Sequence, residues 1–192
     1  MNDLLKIFIS AVLIENVVLM RFLALCPFIG MSTDVKKSTG MGMAVMFVTV
    51  LATAVTFPLY KYVLLPLNLQ FLQILTFILV IASLVQLVEF YLKKSAPALY
   101  SSMGVYLALI TTNCAILAVT FDTIVKGYTF TEAIVYAVGV AVGFLLSMLL
   151  LAGIRERIKI APIPSFLKGT PILFIAAGLL SMAFGGFAGL IK

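Results

Sequence analysis

Histidine and tryptophan are absent from this chain of 192 residues, and only two of its residues are cysteines. Without histidine, the thiols of Cys26 and Cys114 are the only soft ligands that the chain can offer to a metal ion. A structural disulfide is not expected in a protein so poor in cysteine. We assign no catalytic residue to this chain.

Charged residues are scarce as well. They make up 10% of the chain, against about 25% in soluble domains, and hydrophobic residues make up 64%. The mean hydropathy is +1.24. Such a chain cannot cover a globule with polar groups, so lipid must cover most of its surface. The composition predicts an integral membrane protein embedded in the lipid bilayer. The net charge of +6 comes from basic residues beside apolar stretches, which we interpret as signals of membrane topology and not as a nucleic-acid site.

Apolar windows long enough for a helix to cross a bilayer, about 20 residues each, occur six times. They run over residues 4–25, 39–60, 70–91, 98–120, 131–153 and 170–191. Polar or proline-bearing connections separate them, and none is long enough for a soluble domain. The sequence therefore predicts an all-α integral membrane protein with six transmembrane helices in a single domain over residues 1–192.

The basic residues divide unevenly between the two sides of such a bundle. The first, third and fifth connections hold Lys36, Lys37, Lys93, Lys94, Arg155, Arg157, Lys159 and Lys168, whereas the opposite side holds Lys6, Lys61, Lys126 and Lys192. Arg21 lies inside an apolar run and is left out of this count. The positive-inside rule then places both termini on the outer side of the membrane.

The two halves of the chain also repeat. The segment 42–47 resembles 139–144, and Phe77-Ile78 resembles Phe174-Ile175, and the members of both pairs are 97 residues apart. The repeats cover about 1–97 and about 98–192. Each holds three spans, so the second half must enter the membrane upside down relative to the first. Inverted repeats of this kind place their functional site near the midplane, on interrupted helices.

The interruptions are expected in spans 1 and 4. Apolar character runs from Leu4 to Met31, which is longer than one straight crossing needs. Pro27 lacks an amide donor and restricts the residue before it, so the break is expected at Cys26. In span 4, the polar side chains of residues 111–113 precede Cys114 and can form hydrogen bonds with the backbone of an unwound turn. Both cysteines are thus predicted near the midplane.

Two interpretations of these cysteines stay open. A buried cysteine is commonly a small, inert core residue. Metal binding is the other interpretation, because both thiols lie on the polar, interrupted segments. A site made of thiolates alone, such as a [2Fe–2S] cluster, needs four cysteines. This chain has two, so a partner chain would contribute the others, and a homologous partner would enclose the cluster around a pseudo-two-fold axis.

Four segments resemble a known family over the whole chain length. They are Glu15–Leu19, Phe22–Gly30, Leu109–Leu117 and Ile154–Arg157. They are similar to the RnfA subunits of the Rnf ion-translocating electron-transport complexes. The sibling family is NqrE, a subunit of the Na⁺-translocating NADH:quinone reductase, which is the alternative assignment. Cys26-Pro27-Phe28, Thr112 and Arg155-Glu-Arg157 favour the Rnf version.

The resemblance implies a function that composition does not. Rnf complexes are translocases that oxidise reduced ferredoxin, reduce NAD⁺ and export Na⁺ or H⁺ across the bacterial inner membrane. Their paralogous A and E subunits have opposite topology, and each gives two cysteines to one intramembrane [2Fe–2S] cluster. By position, the iron ligands of this chain would be Cys26 and Cys114. The chain would be one part of the oxidoreductase complex, without a complete active site of its own.

An ion path would have to respond to the charge of such a cluster. Reduction adds one negative charge, and a cation about 8 Å away would gain roughly 2 kcal/mol at an effective dielectric constant near 20. The candidate oxygen ligands belong to Glu15, Asn16, Thr111, Thr112 and Asn113. The competing interpretation is that these side chains cap broken helices.

Two other functions stay open. A secondary transporter also uses inverted repeats with broken helices. A scaffold that anchors peripheral subunits is the third candidate.

Overall fold

The computed structural model describes residues 2–66, 70–95, 107–162, 164 and 167–186, and this part of the chain contains helices but no strand. The α-helices are α1 (Asn2–Ile9), α2 (Val17–Arg21), α3 (Leu25–Met31), α4 (Val35–Leu59), α5 (Gln73–Ser95), α6 (Leu107–Thr111), α7 (Cys114–Val125), α8 (Phe130–Ile160) and α9 (Thr170–Gly185). Two π-helical segments, Ser10–Ile14 and Tyr60–Leu64, follow α1 and α4, and a short 3-10 segment, Gln70–Leu72, precedes α5.

Three helical segments are long and apolar enough to cross a membrane: Val35–Leu64, Gln73–Phe90 and Phe130–Ile160. Three shorter apolar helical segments, Leu4–Ile14, Leu109–Val125 and Thr170–Gly185, fall in the remaining predicted windows. The prediction of an all-helical membrane protein is confirmed. The arrangement as six spans in two inverted repeats stays a prediction. Residues 98–106 and 187–191 of the fourth and sixth windows lie outside the described residues.

The centre of the bundle is the packing of α4 against α8. Both helices place large side chains in the core, among them Met41 and Val45 from α4 and Tyr136, Phe144 and Met148 from α8. Helices α1, α2 and α7 pack around this pair and contact α8. Burial of these side chains in a close-packed interior stabilises the bundle even where lipid surrounds it, because the contacts are dispersive.

Two glycines let the first apolar stretch approach α8 closely. A Cβ atom on Gly139 would lie 2.9 Å from the Cβ of Ala11, and one on Gly143 would lie 2.9 Å from the backbone oxygen of Val12. Real Cβ atoms do not approach other heavy atoms so closely, so these positions need glycine. The small-residue segment Gly139–Gly143 therefore serves packing within the chain.

Local sequence explains the turn between α7 and α8. Gly127 has a φ of +64°, the left-handed region that glycine adopts without steric cost. The amide of Tyr128 donates to the carbonyl of Thr123 at 3.1 Å, which completes a Schellman-type end for α7. Helix α8 then begins with a capping box, in which Glu132 accepts from the amide of Thr129 at 2.9 Å.

The connections group at the two ends of the bundle. At one end, Lys159 Nζ donates to the carbonyl of Thr33 at 3.4 Å, so the first and fifth connections meet. At the other end, the rings of Phe57 and Phe130 are 5.8 Å apart, where the second and fourth connections meet. The basic first and fifth connections therefore share an end, as the charge pattern predicts.

Candidate functional site

The segment before Cys26 changes direction through two left-handed residues. Phe22 has a φ of +53° and Ala24 a φ of +60°, and α3 begins at the next residue. Non-glycine residues rarely adopt this conformation, which costs about 1–2 kcal/mol each. The break therefore lies at Phe22–Ala24, and the predicted break at Cys26-Pro27 is wrong. Pro27 is in the first turn of α3, where its missing N–H would have no helical partner.

Cys114 is the first residue of α7. The preceding Asn113 is the N-cap, and its side-chain oxygen accepts from the amide of Ala115 at 3.0 Å. The expectation that this polar side chain caps a helix is confirmed. The thiol of Cys114 donates a weak hydrogen bond to the carbonyl of Thr112 at 3.9 Å. The asparagine cap therefore determines where the helix starts and where this thiol lies.

Both cysteines are unpaired and exposed on the surface of the chain. Neither belongs to the core, so packing does not explain them. Helix α3, which carries Cys26, contacts α6, which ends three residues before Cys114. Within the described ranges, no three His, Cys, Asp or Glu side chains gather around a point that could hold a metal ion. The chain thus presents two separate thiol donors, Cys26 on α3 and Cys114 on α7.

Asn16 caps α2 in the same way that Asn113 caps α7. Its side-chain oxygen accepts from the amides of Val18 and Leu19 at 3.2 and 3.4 Å. Its side-chain nitrogen donates to the carbonyl of Gly143 at 2.9 Å, which joins the first apolar stretch to α8. The two caps are 97 residues apart, the spacing of the sequence repeat. The amide nitrogen of Asn113 is buried too, but it has no partner in the part of the chain that the structure describes.

Glu15 lies in a network of charges that the sequence did not reveal. Its carboxylate pairs with Lys126, and Arg21 pairs with Asp122 at 2.5 Å. The hydroxyl of Tyr136 lies 3.3 Å from the Glu15 carboxylate and 3.1 Å from that of Asp122, so it can donate to either. Each of the two ion pairs is neutral. They neutralise the carboxylate of Glu15 and the guanidinium of Arg21 within an apolar stretch.

The predicted cation ligands lie at two ends of α7. Glu15 contacts Lys126, just beyond the C-terminal end of α7, whereas Thr111, Thr112 and Asn113 precede its N-terminal end. Twelve helical residues separate these ends by about 18 Å. Thr111 is half-buried and Thr112 is exposed. The structure therefore does not bring the five residues together into one coordination site.

Arg155 holds the C-terminal end of the cysteine-bearing helix α3. Its guanidinium donates to the carbonyl of Ile29 at 3.0 Å and to the hydroxyl of Ser32 at 3.4 Å. A cation at this position satisfies carbonyls that the helix leaves free and interacts favourably with the helix dipole. Sequence reasoning identified Arg155 as a topology signal and missed this contact.

Comparison with known proteins gives a consistent result over the whole chain. A family model described as Rnf-Nqr subunit, membrane protein, matches residues 4–191. The chain is 53% identical over 191 residues to the A subunit of the ion-translocating oxidoreductase complex of Syntrophotalea carbinolica, covering 100% of this chain and 99% of that protein. It is 51% identical over 187 residues to the A subunit of the Na⁺-translocating ferredoxin:NAD⁺ oxidoreductase complex of Acetobacterium woodii, covering 97% of each.

A third relative, the A subunit of the ion-translocating oxidoreductase complex of Azoarcus sp., is 48% identical over 190 residues, covering 99% of this chain and 98% of that protein. The resemblance drawn from the cysteine segments is confirmed by these matches. The chain belongs to the Rnf-Nqr family of membrane subunits.

Proposed function

We propose that this chain is a membrane-embedded electron-transfer subunit of an Rnf-type ferredoxin:NAD⁺ oxidoreductase that exports Na⁺ or H⁺. The names of its relatives support an ion-translocating oxidoreductase complex. The observation that carries the proposal is the pair of free, exposed thiols on interrupted segments of a protein that has only two cysteines.

The donor set fits one half of a [2Fe–2S] site. Such a cluster takes four cysteine thiolates, and Cys26 and Cys114 supply two from the surface of this chain. A partner supplies the other two, and the paralogous E subunit of opposite topology is the proposed partner. When bound, the cluster carries one electron at a time between donors and acceptors on the two sides of the membrane.

The residues of this chain hold the two thiols in place. Asn113 fixes the start of α7, and with it the position of Cys114. Arg155 fixes the end of α3, seven residues long, and with it the position of Cys26. The buried side chains of Phe28 and Ile116 follow the cysteines by two residues and exclude water from the inner face of each helix. The exposed faces remain available to the partner.

We place the chain in the bacterial inner membrane with both termini on the outer side. The basic residues of the first and fifth connections, which share one end of the bundle, would then face the cytoplasm. The six spans would form two inverted repeats with breaks in spans 1 and 4. The two asparagine caps 97 residues apart support this arrangement, because each stands at an interruption in its half.

For ion coupling, Glu15 is the proposed participant within this chain. Its side chain is 33% exposed and pairs with Lys126, so a cation can replace the lysine without unfolding a helix. Asn16 and Asn113 have their oxygens engaged as caps. We expect Glu15→Gln to lower Na⁺-dependent transport by the complex while iron content is unchanged. Full transport by this variant would remove Glu15 from the path.

The electron-transfer proposal is tested by EPR spectroscopy on the reduced complex. We expect a [2Fe–2S] signal that disappears in Cys26→Ser and in Cys114→Ser. The matched control is Val125→Ser, which places a hydroxyl on the exposed last residue of α7, eleven residues from Cys114, and should keep the signal. A signal that persists in both cysteine variants would refute the proposal.

A further inference from the structure

A basic cavity lies where the end of α8 faces the start of α9, at the end of the bundle shared by the first and fifth connections. Its volume is about 400 Å³, within the range of small-molecule sites. The side chains that line it include Arg155, Ile158, Lys159, Lys168, Ile172 and Leu173.

In the described part of the chain, acidic side chains do not balance the positive charge of this cavity, because no ion pair there involves Arg155, Lys159 or Lys168. Arg155 and Lys159 donate to the carbonyls of Ile29 and Thr33, but a guanidinium has five N–H donors and an ammonium has three. Donors therefore remain for an anion.

The start of α9 adds to this positive field. The helix begins at Thr170, directly after the cavity residue Gly169. The free N–H groups and the dipole of a helix of 16 residues favour negative charge at this end. Glu156 is the nearest carboxylate in sequence, and it is not among the lining residues. The cavity thus combines three cationic side chains with a helix N-terminus.

An apolar groove continues from the cavity along α8. It has a volume of about 510 Å³ and is lined by Leu149, Leu150, Gly153, Ile154 and Arg157. The cavity and the groove share Ile158 and Ala161. A small soluble anion would fill the cavity and leave the groove empty. A ligand with an anionic head and a hydrocarbon chain matches both parts.

We propose that this cavity binds the phosphate headgroup of an anionic phospholipid, with an acyl chain lying in the groove along α8. Basic pockets at the ends of membrane helices commonly hold such headgroups. The site is separate from the cysteines and goes beyond the proposed electron transfer. Each basic side chain near the phosphate is expected to raise the affinity for the lipid about fivefold.

The test uses the full-length chain in nanodiscs of phosphatidylcholine with a minor fraction of phosphatidylglycerol. Native mass spectrometry measures how much phosphatidylglycerol each chain retains. We expect Lys159→Gln combined with Lys168→Gln to lower its apparent affinity by roughly 20-fold. The matched control is Lys36→Gln combined with Lys94→Gln, which removes the same charge from exposed lysines outside the cavity. Equal losses in both double variants, or none in either, would overturn the proposal.

A second variant separates a lipid from a soluble anion. Gly153 has open space around its Cα, so Gly153→Leu fills the groove without touching the cavity. We expect Gly153→Leu to weaken retention of phosphatidylglycerol, and we expect millimolar inorganic phosphate not to displace the lipid from the unmodified chain. Full displacement by phosphate together with unchanged retention in Gly153→Leu would identify a soluble-anion site and overturn the proposal.

Discussion

The two asparagine caps allow a matched pair of substitutions, Asn16→Ser and Asn113→Ser. Serine keeps an oxygen that can cap the helix, and it removes the amide nitrogen. At Asn16 that nitrogen donates to the carbonyl of Gly143 at 2.9 Å. At Asn113 it is buried and has no partner among the described residues. The same substitution therefore removes a hydrogen bond at position 16. At position 113 it removes a buried polar group that has lost its water without gaining a partner.

The expected magnitudes follow from these contacts. A neutral buried hydrogen bond contributes about 1 kcal/mol, and interhelical bonds in membrane proteins average about 0.6 kcal/mol. Asn16→Ser also leaves a small void, so we expect it to lower the free energy of unfolding by about 1–2 kcal/mol. An unpaired buried polar group costs about 1–3 kcal/mol. Asn113→Ser removes one, so we expect no loss of stability, or a gain of up to about 1 kcal/mol.

The assay is reversible unfolding of the full-length chain in mixed micelles, followed by circular dichroism. Alanine at each position is the control, because it also removes the capping oxygen and should cost about 1 kcal/mol more than serine at the same position. If Asn113→Ser destabilises the chain as much as Asn16→Ser does, the difference between the two caps has no energetic consequence and the reasoning is refuted.

Two further predictions concern α8. Gly143→Ala should lower the free energy of unfolding by about 1–3 kcal/mol, because the new methyl group would lie 2.9 Å from the backbone oxygen of Val12. The control is Gly153→Ala, which lies in open space on the same helix and should be neutral or stabilising. Equal effects of the two substitutions in thermal unfolding would contradict the close approach of Val12 to Gly143. Arg155→Gln should speed hydrogen exchange of the α3 amides by about 10- to 100-fold, because a charged hydrogen bond to the helix end is worth about 1.5–3 kcal/mol. Arg157→Gln should leave that exchange unchanged, and identical rates in both variants would show that Arg155 does not anchor α3.

The positions of the helices could be predicted from the sequence, because hydrophobic length determines what can cross a bilayer. Helices α4, α5 and α8 each occupy most or all of one of the predicted windows. The charge pattern also predicted that the first and fifth connections share an end of the bundle. Both predictions depend on composition averaged over many residues, so a misjudged single position does not change them.

The break before Cys26 shows where local rules were not sufficient. Proline at position 27 predicted an interruption at Cys26, but proline is compatible with the first turn of a new helix. The chain instead turns at Phe22 and Ala24, whose left-handed conformations no residue preference indicates. Core packing accounts for the conformation of Ala24, which is buried, but not for that of Phe22, which is exposed.

The charge network could not be predicted because its pairs are distant in sequence. Arg21 and Asp122 are 101 positions apart, and Glu15 and Lys126 are 111 apart. Lys126 is close in sequence to Asp122, yet it pairs with Glu15. The repeat offset of 97 residues was the one long-range signal available, and it relates Asn16 to Asn113. Extending the repeat to polar positions would have identified this pair as matching caps.

The most direct measurement is the content of iron and acid-labile sulfide in the purified complex, with and without the two thiols of this chain. The account predicts that Cys26→Ser combined with Cys114→Ser removes about two iron and two sulfide atoms per complex and leaves its subunit composition unchanged. An assembled double variant with the full iron content of the unmodified complex would contradict it.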